Sequence, residues 1–126
     1  MSPKPLILIV EDSLTQAKQI AAYVANCGAQ ALIADNGLDA LIMTDQEHPL
    51  LIILDVHLPK IGGYQVCHRL KRDPNTTNIP VIMLTSADSA DATIHGLDVG
   101  ADDYIPKDIY AMDNLAIAVN AFLGVK

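Results

Sequence analysis

Polar side chains that could do chemistry follow short aliphatic stretches at several points of the chain: Glu11 with Asp12, Asp55, Thr85 with Ser86, and Lys107. Five aliphatic residues lead into Asp55, and proline and glycine follow within eight positions. An apolar run bounded by turn residues is typical of a strand buried on both faces of a parallel sheet. Asp55 would then lie at the carboxyl end of its strand, where open α/β sheets bind ligands. The alternative interpretation is that Asp55 only caps the next turn, where Asp is common.

Carboxylates and a lysine that meet at one sheet edge would suit phosphoryl transfer. Two carboxylates about 4 Å apart repel each other by about 4 kcal/mol at an effective dielectric of about 20, so Glu11, Asp12 and Asp55 together call for a cation. Mg²⁺ prefers one or two carboxylates together with waters and phosphate oxygens. With Mg²⁺ on Asp12, Asp55 and a backbone carbonyl, Lys107 and the Thr85 hydroxyl could take further phosphoryl oxygens. Asp55 would be the nucleophile and would form an acyl phosphate.

The elements that position these residues follow from the apolar pattern. Strands are predicted over residues 6–10, 31–34, 50–54, 79–84 and 103–105, and helices from Ser13 to about Gly28 and over residues 38–47, 64–72, 88–98 and 110–123. This alternation predicts an α/β fold with one doubly wound, five-stranded parallel sheet and helices on both faces. The chain length and right-handed crossovers favour the flavodoxin-like (βα)5 strand order 2-1-3-4-5. In that order the strands that carry the polar residues are neighbours.

Composition and charge exclude several classes of protein. The 126 residues suit one domain, and a hydrophobic content of 51% supplies a core. The net charge of −7 argues against a nucleic-acid surface, which needs clustered basic residues. The sequence contains no signal-peptide pattern and no apolar run long enough to cross a membrane. Cys27 and Cys67 show no metal-ligand spacing and suit reduced, buried positions, so a cytoplasmic location is expected.

Taken in order, Glu11-Asp12, Asp55, Thr85 and Lys107 resemble the site residues of response regulator receiver domains in two-component signalling. The resemblance is to chemotaxis-regulator-like receivers and spans the whole chain, so residues 1–126 are expected to form one receiver domain. It includes Leu58-Pro59, Gly62-Gly63, Ile79-Pro80 and the run Gly100-Ala101-Asp102-Asp103-Tyr104.

The resemblance implies a signalling function rather than an enzyme that acts on separate substrates. Asp55 would accept a phosphoryl group from a phosphohistidine on a sensor histidine kinase or phosphotransfer protein, with Mg²⁺ required. Slow self-catalysed hydrolysis of the phosphoaspartate would follow, and the small Ala87 beyond Thr85 offers nothing to orient a water molecule.

The resemblance also implies a role for each site residue. Asp55, Thr85 and Lys107 would be catalytic, and Thr85 with Tyr104 would form the conformational switch. The Mg²⁺ ligands would be Glu11, Asp12, Asp55 and the backbone carbonyl of His57. The His57 side chain should point outward near the phosphoryl site.

The last predicted helix carries few strongly polar residues between Tyr110 and Leu123, fewer than one covering a sheet usually has. Some of its apolar residues should therefore be exposed, from the set Ile117, Ala118, Ala121 and Leu123. In the family, the fourth helix, fifth strand and fifth helix form the usual output and dimerisation face. We expect a second copy or an effector to dock there.

One position departs from the family pattern. Proline usually follows the lysine and is joined to it by a cis peptide, whereas Asp108 follows Lys107 here and the proline lies earlier, at Pro106. A cis bond without proline costs about 2.5–4 kcal/mol, so the sequence leaves open a strained cis bond or a trans loop that moves the lysine. This departure keeps a second interpretation open, in which the chain is a pseudo-receiver that acts as a phosphate-independent interaction module.

Two other folds are less consistent with the sequence. A haloacid-dehalogenase-type phosphatase would need a second acid at the position of His57, and a flavodoxin would not place Glu11 and Asp12 against a phosphate. The cognate kinase, the signal and the output do not follow from the sequence. Neither does the choice between a stand-alone regulator and part of a larger protein.

Overall fold

The computed structural model describes residues 4–85 and 100–124. The strands are β1 (Leu6–Val10), β2 (Gln30–Ala34), β3 (Leu51–Asp55), β4 (Val81–Thr85) and β5 (Asp103–Pro106). The helices in these residues are α1 (Leu14–Asn26), α2 (Gly37–Glu47), α3 (Gly63–Arg72) and α4 (Ala111–Leu123). The helix predicted over residues 88–98, together with Ser86 and Ala87, lies outside the described residues.

All five strands are parallel and form one sheet in the order β2-β1-β3-β4-β5, which confirms the predicted topology. The register aligns the carboxyl ends of the strands. Val10 is paired with Leu54, Asp55 with Leu84, and Thr85 with Pro106. The residues that follow these strands therefore meet at one edge of the sheet, because parallel strands end on the same side.

The three central strands are buried on both faces because helices cover both sides of the sheet. Side chains alternate between two core clusters, as the two-residue period of a strand requires. Ile7 and Ile9 pack in the cluster that includes residues of α1 and α4, whereas Leu8 and Val10 pack in the cluster that includes residues of α2 and α3.

Side-chain caps mark where α1 and α2 begin. Ser13 caps α1 by accepting a hydrogen bond from the backbone N–H of Gln16, and Asn36 caps α2 by accepting one from Asp39. Both side chains satisfy N–H groups that the first helical turn leaves without a partner.

Strand β4 begins two residues later than predicted, at Val81. The carbonyl of Ile79 accepts a hydrogen bond from the Lys71 side chain at 2.8 Å and is thereby used outside the sheet. Pro80 has no N–H to donate to the sheet. The Val81 N–H instead donates to the Asp102 carboxylate, which also pairs with Lys71 at 2.7 Å.

The loop after β3 is held tightly against the end of that strand. The Gly63 N–H donates to the carbonyl of Val56 at 2.9 Å. A Cβ atom at Gly63 would overlap the backbone of Asp55 and Val56, whereas a Cβ at Gly62 would meet nothing within 4 Å. Glycine at position 63 therefore permits the close approach of α3 to Asp55.

In the part of the chain that the structure describes, none of the helices combines the length and the apolar character needed to cross a bilayer.

Candidate functional site

Asp55, the last residue of β3, is a buried carboxylate at the centre of the sheet edge, with 3% of its surface exposed. Its Oδ1 atom accepts a hydrogen bond from the backbone N–H of His57 at 3.0 Å. Its Oδ2 atom accepts one from Nζ of Lys107 at 2.7 Å. Both oxygens thus have a donor, and the carboxylate has a fixed orientation.

Lys107 reaches this carboxylate from the loop after β5. Its backbone N–H donates to the carbonyl of Thr85, so the end of β4 positions the start of the loop. Its Nζ atom donates to Asp55, to Oε2 of Glu11 at 3.1 Å and to Oε1 of Gln16 at 3.1 Å. Burial disfavours the ammonium, but the hydrogen bonds and charges of Asp55 and Glu11 outweigh it and raise the pKa of Lys107.

The peptide bond between Lys107 and Asp108 is trans, as are the other peptide bonds in the described residues. Asp108 itself shapes the turn, because its carboxylate accepts a hydrogen bond from the N–H of Tyr110 at 2.8 Å. The carbonyl of Asp108 accepts one from Ala111, where α4 begins. Lys107 therefore reaches Asp55 without the proline that usually follows it in the family.

Glu11 follows β1 and is almost as buried as Asp55, with 2% exposure. Its N–H donates to the carbonyl of Ala34, and its Oε1 atom accepts a hydrogen bond from Ser13 at 3.2 Å. Burial, followed by the hydrogen bond and the negative charge of Asp55, raises the pKa of Glu11 to about 7, although the contacts with Ser13 and Lys107 act in the opposite direction.

Three carboxylates converge here, since one oxygen each of Glu11, Asp12 and Asp55 lies within 4.8 Å of the others. Asp12 is exposed and opens the cluster to solvent. Oxygen donors with room for water suit a hard divalent ion such as Mg²⁺. When all three are ionised, the single ammonium of Lys107 offsets only part of their charge, so these residues fit a magnesium ion.

Thr85 lies on β4, the strand next to that of Asp55, and Tyr104 lies on β5, one strand further along the sheet. Thr85 ends β4, is 4% exposed, and lies one residue beyond Leu84, the partner of Asp55 in the sheet. Tyr104 of β5 is paired with Met83 of β4. It is half-buried and packs against the core cluster that includes residues of α2 and α3. His57 is exposed next to the site.

Sequence reasoning missed one residue of this site. Gln16 contacts Lys107, yet nothing in its residue type marks it out. The available signal was its position, because Gln16 lies in the first turn of α1, directly after the loop that carries Glu11 and Asp12.

A comparison with protein families matches residues 7–120 to the response regulator receiver domain. The chain belongs to this family. This receiver domain is 35% identical to protein PilH of Pseudomonas aeruginosa over 118 residues, which are 94% of the chain and 97% of PilH. Receiver domains bind Mg²⁺ at an acidic pocket, and the carboxylate cluster is the matching feature here.

Solved structures agree with this membership. The signal receiver domain of a histidine kinase from Syntrophus aciditrophicus superposes with a TM-score of 0.87 at 39% identity, covering 97% of this chain and 92% of that one. The phosphorylated cyanobacterial phytochrome response regulator RcpA superposes with a TM-score of 0.83 at 28% identity, covering 99% and 97%. The predicted family and fold are thereby confirmed.

Other relatives are longer than this receiver domain. The chain spans between 40% and 46% of the length of several transcriptional regulators that it matches, among them a probable one from Porphyra purpurea that is 38% identical over 104 residues.

The exposed side of α4 agrees in part with the sequence analysis. Ile117 is 69% exposed and Ala121 is exposed, whereas Leu123 is half-buried and Ala118 is buried in the core. Ile117 and Ala121 line a groove of about 380 Å³ together with Tyr104 and Pro106 of β5.

Proposed function

We propose that residues 1–126 act as a phosphorylation-dependent receiver in two-component signalling, with Asp55 as the phosphoacceptor. The observation that carries this proposal is the contact between Lys107 and a buried Asp55 within a cluster of three carboxylates. The donor would be a phosphohistidine of a sensor histidine kinase or of a histidine phosphotransfer protein. We also propose a cytoplasmic location, where the thiols of Cys27 and Cys67 would remain reduced.

In the proposed reaction a carboxylate oxygen of Asp55 attacks the phosphorus atom. The new oxygen–phosphorus bond forms as the phosphorus–nitrogen bond to the donor imidazole breaks, and that nitrogen keeps the bonding electron pair. The His57 N–H and the Lys107 ammonium hold the carboxylate in one orientation before the attack. Lys107 then donates to a phosphoryl oxygen, where negative charge is concentrated.

Glu11, Asp12, Asp55 and the backbone carbonyl of His57 are the proposed Mg²⁺ ligands. When bound, the ion would offset the charge of the cluster and of the phosphoryl group. The exposed position of Asp12 leaves an approach from solvent.

Thr85 and Tyr104 are the proposed switch. The Thr85 hydroxyl would bond the phosphoryl oxygen only in the phosphorylated state, and this difference in bonding would shift the equilibrium between two conformations. Tyr104 would then turn inward behind Thr85. The readout would be binding of an effector or a second copy to the face that includes β5 and α4, where Ile117 is exposed.

The test is incubation with acetyl phosphate and Mg²⁺, followed by intact mass spectrometry. We expect the wild-type chain to gain one phosphoryl group and the variant Asp55→Asn to gain none. Omission of Mg²⁺ should abolish the gain in the wild type. A wild-type chain that takes up no phosphoryl group, and whose NMR spectrum does not change with beryllofluoride, would favour the pseudo-receiver instead.

A further inference from the structure

The ammonium group of Lys107 has three N–H donors and three acceptors within hydrogen-bond distance. Asp55 and Glu11 supply two of these acceptors as carboxylate oxygens. The third is the neutral amide oxygen of Gln16, which comes from α1. The ammonium is therefore fully paired, and Gln16 is the one member of this set to which the proposed reaction assigns no role.

The backbone of Gln16 is fixed independently of Lys107. Its N–H donates to the hydroxyl of Ser13 at 3.3 Å in the cap of α1. Ala17 and Ile20 of the same helix are buried in or against the core. Because α1 is anchored at both its cap and its buried face, the Gln16 side chain extends toward the lysine from a fixed backbone position.

We propose that Gln16 is a positioning residue for Lys107 in phosphoryl transfer, an inference that rests on the proposed function. The lysine stem is flexible, and a third acceptor restricts the direction of its ammonium. When Asp55 forms the acyl phosphate, the bonded oxygen loses its charge and a phosphoryl oxygen becomes the better acceptor. Gln16 and Glu11 hold the ammonium in place while its hydrogen bond to Asp55 is replaced by one to the phosphoryl oxygen.

The contact also adds to what fixes Lys107 in a site where aspartate, not proline, follows the lysine. The trans loop at Asp108 leaves Lys107 to be fixed by its backbone bond to Thr85 and by the acceptors around Nζ. Gln16 is the uncharged one among those acceptors. It orients the ammonium without adding another negative charge to the carboxylate cluster.

Three substitutions test this role. Gln16→Met keeps the length of the side chain and removes the acceptor, whereas Gln16→Glu keeps an acceptor oxygen. Gln19→Met is the matched control, because Gln19 lies on the same helix and lines the same cavity of about 300 Å³ beside Lys107. Gln16 is exposed, so its substitution should leave the fold intact.

The first readout is the exchange of the Lys107 ammonium protons with water, followed by ¹⁵N NMR in the metal-free protein. The second is the initial rate of Asp55 phosphorylation by acetyl phosphate at saturating Mg²⁺. In Gln16→Met we expect exchange to become about fivefold faster and phosphorylation about fivefold slower. In Gln16→Glu and Gln19→Met, the exchange rate of the Lys107 ammonium protons should stay within about twofold of the wild-type rate.

Unchanged exchange and phosphorylation in Gln16→Met would overturn the proposal. Equal effects of Gln16→Met and Gln19→Met would also overturn it, because the loss would then follow from the cavity rather than from the hydrogen bond. A wild-type chain that takes up no phosphoryl group would overturn the proposed function and the catalytic part of this inference. The exchange measurement would still decide separately whether Gln16 holds Lys107.

Discussion

The Nζ atom of Lys107 lies 2.7 Å from Oδ2 of Asp55, although the two residues are 52 positions apart in the chain. The sheet creates this proximity. Asp55 ends β3, and the Lys107 N–H is bonded to the carbonyl of Thr85 at the end of the neighbouring β4. The pair therefore depends on strand register and on the trans turn at Asp108.

Removal of the ammonium should slow phosphorylation strongly. In Lys107→Met we expect the rate with acetyl phosphate to fall by about 100-fold, because a positioned donor to the transferred group is lost. The measurement is the initial rate of mass gain at saturating Mg²⁺. Lys18→Met, which removes an exposed lysine from α1, is the control and should keep the wild-type rate. A rate within a few-fold of wild type in Lys107→Met would contradict the assigned role.

The raised pKa of Glu11 should make stability depend on pH. Its pKa is about 7 in the folded, metal-free protein and near 4.5 for an unperturbed carboxyl group, so the folded state binds more protons between these values. The free energy of unfolding should therefore fall as the pH rises from about 4.5 to about 7, by at most about 3 kcal/mol. Urea unfolding at a series of pH values measures this slope.

Glu11→Gln is the control for this pH dependence, since it cannot ionise. The difference in unfolding free energy between wild type and Glu11→Gln should change across this pH range. Added Mg²⁺ should reduce the decrease in unfolding free energy with rising pH in the wild type, because the ion would bind the ionised carboxylate. A constant difference between the two proteins would mean that Glu11 does not titrate there.

Two adjacent glycines should differ sharply in their tolerance of alanine. Gly63→Ala should reduce the free energy of unfolding by about 1–3 kcal/mol, because its Cβ would overlap the backbone of Asp55. Gly62→Ala is the matched control and should change stability by less than about 1 kcal/mol, since its Cβ would meet open space. Chemical denaturation of both variants measures the contrast, and equal effects would contradict the close packing at Gly63.

The two cysteines should react at very different rates. Cys67 is fully buried, and burial raises the pKa of its thiol to about 11, so little thiolate forms at neutral pH. Cys27 is only half-buried, at the end of α1. We expect iodoacetamide at pH 8 to modify Cys27 well before Cys67, as measured by peptide mass spectrometry. Denaturant should remove the difference, and equal rates in the folded protein would contradict the burial of Cys67.

The sheet topology could be predicted because the aliphatic runs of β1, β3 and β4 are uninterrupted and turn residues separate them from the helices. Short runs of this kind, bounded by turn residues, are typical of strands that are covered on both faces. The start of β4 could not be predicted as well. There, side chains distant in sequence take the place of sheet hydrogen bonds: Lys71 donates to Ile79, and Asp102 accepts from Val81. An apolar pattern contains no information about them.

The convergence of the site residues on one edge followed from the strand order, but the details of Lys107 did not. The sequence left both a strained cis bond and a trans bond at Asp108 open. The observed turn depends on hydrogen bonds that the backbone N–H groups of Tyr110 and Ala111 donate to Asp108. Gln16 was missed for a similar reason. Glutamine on the exposed side of a helix is common, and only the three-dimensional position of the ammonium gives this one a partner.

The hydrogen bond from the Lys107 N–H to the Thr85 carbonyl has a mechanical consequence. The backbone of the proposed hydroxyl-bearing switch residue is tied directly to the backbone of the residue that carries the ammonium. If Thr85 moves on phosphorylation, as the proposed function requires, this bond would couple its backbone to the turn that leads through Asp108 into α4.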